Sequence, residues 1–499
     1  MMDASATVSL SSEPFAAKVR SHVEAGARFA GLMASAQGPR TQLLAVLSQH
    51  GSLIVERTIL PEGTRQYPSL TPSIPSAHWY EREIFDLFGL AVSGSYPLEP
   101  LVLPLAPGTA RPRPGSDVPL PFVTLDQTAP ITRLSGEGVF TMSYGPVRSG
   151  VFESVEYLVE TPGEDIPSLN LRVSYKHRGV EKAFEGLSVA DGVLLAERYE
   201  GVASIAHALA YCGAVERIAD LTIPMQAGFV RVLHAELERI ANHLDTVIRH
   251  VEAAGQAVAF SRFSLHKERV QRLRARLCGG RFGRGVVVVG GVSGPPAMSA
   301  SHLLLELDNI EAELAADTKL LMGTPSFLDR LRGTGVLSPE TVRDYGALGP
   351  VARGSGMLED VRFARPYAAY GRLGHGLLDA LGEGDALARQ RVRLQEIVGA
   401  FGLIRRAVEE LNEFGGPPDE KWFTPVSNVS GDALGWSEAP QGEILTWVQV
   451  RDGVLTRVKP RSASFHNLAM FPLAFPKDIL TDFAFIEASF GLSIAGVAG

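Results

Sequence analysis

The chain has 499 residues, 45% hydrophobic and 20% charged, an ordinary globular composition long enough for more than one domain. A formal net charge of −8 excludes a general nucleic-acid surface, because neutralising phosphates requires a basic excess. Two cysteines, Cys212 and Cys278, exclude a disulfide framework and fit a reducing compartment, so the expected address is cytoplasmic.

The opening MMDASATVSLSSEPFAAKVRS lacks the charged region followed by an apolar block that marks an export signal. No apolar run approaches the roughly 20 residues a helix needs to cross a bilayer, so any membrane role must come through partners. Residues 1–95 read as a small α/β domain, with strands in LLAVLSQHGSLIVERTIL and punctuation at Pro61, Gly63 and Pro68. In HWYEREIFDLFGL, the spacing of Glu81, Arg82, Glu83 and Asp86 predicts ion pairs along one helix rather than chemistry.

Residues 96–132 are dense in proline and read as a stiff, extended linker at the domain boundary. The second domain, 133–499, opens on alternating β-branched and aromatic residues around glycine turns. This predicts a small sheet with its hairpin turn at Thr161-Pro162-Gly163-Glu164-Asp165. Ser188 and Asp191 stand at capping-box spacing, so a helix should start near Leu187. Pro224 suits a first helical turn. After it Met225, Phe229, Leu233, Leu237, Ile240, Leu244, Ile248 and Val251 form an apolar stripe, with Glu236, Arg239 and His243 on another face.

The stretch LCGGRFGRGVVVVGGVSGPP holds neither a dinucleotide fingerprint nor a P-loop lysine, so its glycines are expected to permit close packing. HLLLELDNIEAELAADTKLLMG and GDALARQRVRLQEIVGAFGLIRRAVEEL read as further bundle helices. Beyond Gly415-Gly416-Pro417-Pro418, short strands surround an Arg451-Asp452-Gly453 turn, a hairpin signal.

Several phrases in order, YKHRGVEKAFEG, AERYEGVASIAHALAYCGAVE, ELERIANHL, ARGSG and DVR, resemble the large subunit of membrane-bound, energy-converting nickel-iron hydrogenases. They also resemble its relative, the 49-kDa-type subunit of respiratory complex I, and come nearest to metal-free hydrogenase-related members that lack the C-x-x-C ligands. EREIFDLFG (81–89) resembles the hallmark of the 30-kDa-type complex I subunit, fused ahead of the large one. The resemblance implies an α+β fold: a small α/β docking domain, then a mainly α-helical bundle with small peripheral sheets.

A nickel-iron centre takes four thiolates from two C-x-x-C pairs, because soft sulfur holds these metals. By the resemblance those positions here carry Glu200 and Ala203, then Ser493 and Gly496 in ASFGLSIAGVAG. No metal site is therefore expected, hydrogenase activity is not expected, and no cleavable extension is visible past Gly499. The loop that holds quinone-approaching histidines in complex I reads Gly145-Pro146-Val147-Arg148-Ser149-Gly150. Arginine stays charged and cannot donate a proton near neutrality, yet it can bind a carboxylate or fix a neighbouring acid.

The resemblance implies proton-relay roles for Glu200, at the vacated first-cysteine position, and for His177 and Glu236. It implies that Arg148 and Arg178 hold an anionic head group or steady those acids, and that Asp360 and Arg362, with Arg365 and Tyr367, line the former metal cavity. Against each stands a satisfied core ion pair, and for His207 and His243 plain packing. Gln441 replaces the arginine of the relatives' E-x-P-R-G-E phrase.

The implied assembly supplies an iron-sulfur cluster from a small partner subunit, while this chain carries no cofactor and a quinone is the acceptor. Antiporter-like and other integral membrane subunits would hold the chain on the cytoplasmic face of the membrane. The expected function is to couple electron transfer from the iron-sulfur partner to a quinone-like acceptor, or to proton movement, within an ion-translocating complex. The alternative is a redox-silent scaffold.

Overall fold

A computed structural model describes residues 12–95, 98–116, 119, 122–126, 133–148, 153–374, 379–414, 422–427 and 429–499. Ser149, Gly150 and the run Gly415-Gly416-Pro417-Pro418 lie outside the described residues.

Helix α1 (Ser12–Glu24) is followed by an antiparallel sheet of β1 (Arg28–Gln37), β2 (Arg40–Gln49) and β3 (Ser52–Leu60) in sequential order. Strand β2 is buried from Thr41 to Ser48 without alternation, so both faces of the sheet are covered. Leu43, Ala45 and Leu47 join Phe15, Ala16 and Val19 of α1, while Leu44 and Val46 meet Leu445 and Trp447 from the far end of the chain.

On α2 (His78–Phe88) none of the expected intrahelical ion pairs forms among the described residues. Glu81 accepts from Leu70 N at 2.6 Å, Thr71 Oγ1 at 2.7 Å and Ser69 Oγ at 2.8 Å. Arg82 donates to the carbonyls of Glu99 and Pro100. Glu83 meets Lys459 Nζ at 2.6 Å, and Asp86 Oδ2 accepts the N–H groups of Leu101, Val102 and Leu103 at 2.8–3.0 Å. The reason is burial: Glu81, Glu83 and Asp86 are buried, and a carboxylate there serves best where backbone N–H groups or a cation would otherwise lack a partner. The proline-rich segment is thereby fastened to α2, with Leu101, Val102, Leu103 and Leu105 buried. Lys182 Nζ grips Ser116 O at 2.8 Å farther along.

Strands β4 (Phe140–Tyr144), β5 (Glu156–Thr161) and β6 (Ser168–Arg172) form the second antiparallel sheet, and its β5–β6 turn falls at TPGED as expected. Helix α3 (Val189–Tyr199) is capped by Ser188, whose Oγ accepts from Asp191 N at 3.0 Å. Helix α4 (Ser204–Ile218) leads to α5 (Met225–Ala253), for which Pro224 is the cap residue just outside the first turn. Every residue of the predicted stripe is buried except Met225, and so are Glu236, Arg239 and His243 on the other face. Helix α5 is therefore enclosed, and its polar face must be satisfied by protein rather than water.

Around α5 pack α6 (Ala257–Cys278), α7 (Ala300–Leu321) and α8 (Ala386–Glu413). Between α6 and α7 the glycines do pack closely, since a Cβ at Gly290, φ +87°, would sit 2.0 Å from Thr424 O. The third sheet, β7 (Gly431–Ala439), β8 (Gly442–Arg451) and β9 (Val454–Arg461), turns at Asp452 and Gly453 with φ of +51° and +78°, the two-residue hairpin its sequence predicts. Helices α9 (Ala463–Leu468), α10 (Phe483–Phe490) and α11 (Ala495–Ala498) close the chain, α10 packing on α5 and α8 and α11 on α9. The small α/β module and the helical bundle meet through buried polar contacts, among them Tyr80 to His466 Nδ1 at 2.7 Å and Arg457 Nε to Ala34 O at 3.1 Å. No helix among the described residues is long and apolar enough to cross a membrane.

Candidate functional site

The turn between α3 and α4 carries Glu200 to Ala203, and the segment between α10 and α11 carries Ser493. The fold brings these vacated positions together. Glu200 Oε2 accepts from His207 Nε2 at 3.0 Å and its Oε1 accepts from Ser464 Oγ at 2.6 Å. Ser464 Oγ in turn accepts the N–H of Ser493 at 3.1 Å. A Cβ at Gly496 would lie 2.7 Å from the Glu200 carboxyl carbon, so that carboxyl occupies the room a side chain there would need. Ala203 is enclosed by Ala206, Ala210, Ala439 and Ile444. As a donor set the four positions offer one carboxylate and one hydroxyl, already bonded to protein.

Next to this group lies a cavity of about 400 Å³. Glu153 and Ser493 line it on the side of Glu200, and Val202 adjoins them. Ser493 Oγ donates to Glu153 at 2.9 Å and Ala495 N donates to it at 2.8 Å. Leu468, Phe471, Phe490 and Leu492 supply apolar wall, and Arg249 and Glu252 come from the end of α5.

Tyr144, Arg148, Tyr157 and Glu487 form a further part of the wall. The Arg148 guanidinium lies 4.6 Å from the Tyr144 ring centre and 4.9 Å from that of Tyr157. Its two Nη atoms donate to the two Glu487 oxygens, Nη1 at 3.0 Å. Tyr157 OH donates to Glu487 at 2.8 Å, and burial together with that carboxylate pushes its pKa well above the ordinary value, so it keeps its proton. For Arg148 burial opposes the charge, and the Glu487 contact outweighs it.

Glu236, Asp360 and Arg362 are brought together elsewhere, outside the cavity lining. Arg362 joins Glu236 at 3.0 Å and Asp360 at 2.7 Å, Arg239 joins Glu236 at 3.1 Å, and Tyr370 OH donates to Glu236 at 2.5 Å. Arg353 bridges Glu396 at 2.7 Å and Glu438 at 3.2 Å, and His243 donates to Glu396 at 2.8 Å. Burial resists ionisation throughout, yet the arginines hold Glu236 and Asp360 below the ordinary carboxylate range and Glu396 well below it. Burial and the nearby Asp360 instead push Glu438 up to about 8. Burial lowers His243 to about 4. At neutral pH three guanidiniums (Arg239, Arg353, Arg362) thus face three carboxylates (Glu236, Asp360, Glu396), with Glu438 protonated and His243 neutral.

His177 and Arg178 hold the last segment in place. His177 Nδ1 donates to Ala498 O at 2.6 Å, and Arg178 donates to Tyr199 O at 2.6 Å and Ala495 O at 3.1 Å. Burial lowers the His177 pKa, which leaves a neutral imidazole. These contacts seat Gly496 against Glu200. Gln441 donates to Asn242 Oδ1 at 3.2 Å and Gly491 O at 3.3 Å. Three site residues escaped the sequence reading: Glu153, Ser464 and Glu487. Glu153 had a local signal, an acid five residues beyond Arg148 in the same loop, whereas Glu487 is 339 residues away from Arg148.

Two family models match the chain: "Respiratory-chain NADH dehydrogenase, 49 Kd subunit" over residues 254–429 and "Respiratory-chain NADH dehydrogenase, 30 Kd subunit" over residues 12–111. The chain is similar to the carbon monoxide-induced hydrogenase of Rhodospirillum rubrum, 32% identical over 62% of this chain and 85% of that protein. It is similar to an NADH-quinone oxidoreductase subunit of Streptomyces coelicolor, 30% identical over 70% of this chain and 92% of that protein. Formate hydrogenlyase subunit 5 of Escherichia coli is 29% identical over 81% of this chain and 71% of its own length.

Proposed function

From a chain that belongs to the family of complex I 49-kDa-type subunits and membrane-bound hydrogenase large subunits, with a 30-kDa-type module fused ahead of it, we propose a peripheral redox subunit of a membrane-associated, ion-translocating complex that works without a nickel-iron centre. The donor set at Glu200, Ala203, Ser493 and Gly496 does not fit that metal pair, which needs thiolates, and Glu200 fills the space beside Gly496. A small iron-sulfur subunit supplies electrons. Integral membrane subunits, antiporter-like in kind, hold the chain at the cytoplasmic face and carry the ions.

The acceptor is a quinone-like ring in the cavity beside the vacated ligand positions, and that cavity is the observation that supports the reading. Reduction to the quinol takes two electrons from the iron-sulfur partner and two protons. Glu153, a carboxylate that lines the cavity and accepts from Ser493, is placed to take up a proton from water and pass it to a ring oxygen. Glu200, with His207 and Ser464 behind Ser493, is the next carboxylate inward and a store for the following proton. Tyr144, Tyr157, Phe471 and Phe490 offer the ring aromatic wall.

The test is quinone-analogue binding and turnover in the purified complex. Glu153→Gln should slow quinone reduction about 100-fold or more, and Glu200→Gln should slow it less, with the complex assembled in both. A second reading, the redox-silent scaffold, draws on the mutual satisfaction of Glu200, His207 and Ser464. Normal assembly and ion transport in a Glu153→Gln/Glu200→Gln double variant would establish it instead.

A further inference from the structure

The cavity wall that carries Arg148 shows its contents a carboxylate. The Arg148 side chain is 6% exposed and that of Glu487 is 30% exposed. Both Nη atoms of Arg148 are taken by the two oxygens of Glu487, and the Tyr144 and Tyr157 rings flank the guanidinium. The Tyr157 hydroxyl already donates to the same carboxylate. A ligand therefore meets a closed ion pair whose accessible member is the acid.

Among the described residues the other charged groups of the lining are Glu153, Glu252 and Arg249. Arg249 is itself paired with Asp245 at 3.0 Å. Three carboxylates against two guanidiniums give the lining a formal charge of −1. Charges count for more where water is excluded, so such a lining repels a carboxylate or phosphate and tolerates an uncharged ring.

We infer that Glu487 is the specificity-determining residue of this cavity: by closing Arg148 into a neutral pair it admits uncharged ring-bearing ligands and turns away anionic ones of similar shape. The inference rests on the acceptor-site reading and adds to it the charge state that enters.

The experiment uses the full-length chain and two probes of similar size, menadione, which is neutral, and a hydroxynaphthoquinone that is ionised at neutral pH. Wild type should bind menadione at least about tenfold more tightly, a difference of about 1.4 kcal/mol. The near-isosteric Glu487→Gln frees the Arg148 charge, so affinity for the anion should rise about tenfold while menadione changes less than about threefold. Arg148→Gln/Glu487→Gln removes both charges, and affinity for the anion should fall back toward the wild-type value. Thermal melting of each variant reports folding.

An anion-to-neutral ratio unmoved by Glu487→Gln, with menadione still bound, overturns the inference and leaves the acceptor reading standing. Gain of anion binding in Glu487→Gln without menadione binding to either protein supports the inference and removes the acceptor reading. If neither probe binds either protein, both fall.

Discussion

Two buried carboxylate clusters lie within one domain and behave differently. In the network of Arg239, Arg353 and Arg362, charge is balanced group for group and the groups lie outside the cavity lining. Around Glu200, Ser464 and Ser493, one acid is held by a histidine and a serine, and a second acid, Glu153, looks onto a cavity. The first cluster holds the turns before α8 against α5, while the second has room beside it for a ligand. Burial and charge by themselves do not mark a site, because an ion-pair network has both.

Breaking the closed network should have the largest effect. Arg362→Met removes the cation that Glu236 and Asp360 share, leaving each one guanidinium, Arg239 and Arg353, and should cost about 3 kcal/mol in urea unfolding. A cost near zero would mean the network is no firmer than the cavity side. Gly496→Ala tests the packing of the vacated positions, since the added methyl meets the Glu200 carboxyl. It should cost about 1–3 kcal/mol, and Gly496→Ala/Glu200→Ala should recover part of it.

The pH dependence separates the clusters further. Glu438, at about 8 in the fold, binds its proton more tightly folded than unfolded, so its contribution is complete below the ordinary carboxylate range and is lost as pH rises from there through about 8. Glu438→Gln, which keeps the neutral form, should flatten that decline in urea melts between pH about 5 and 8. The smallest effect is expected at an exposed pair of the same chemistry. Arg276→Ala opposite Glu306 should change stability by less than about 1 kcal/mol, because water screens it.

Much of the fold was legible in the sequence. The stripe of α5, the Ser188 cap, the TPGED turn and the Asp452-Gly453 hairpin are local patterns, readable within a few residues of themselves. The α2 run was misleading for the same reason. Glu81, Arg82, Glu83 and Asp86 carry both signs at helical spacing, yet burial gave each a partner from another segment. At the site, the absence of thiols was plain from two cysteines in 499 residues. That Glu200 and Gly496 would share a site followed from the resemblance, but that the carboxyl would fill the room beside Gly496 and be held by Ser464 did not, because those contacts join positions well over 200 residues apart.

By itself the sequence determined which elements form and which donor atoms are on hand, since periodicity, caps and side-chain inventory are properties of a stretch of chain. Only the tertiary structure decided which carboxylate has a cation, which has a cavity and which has neither. Pairing energies depend on distance and local dielectric, and both exist only once distant segments have packed.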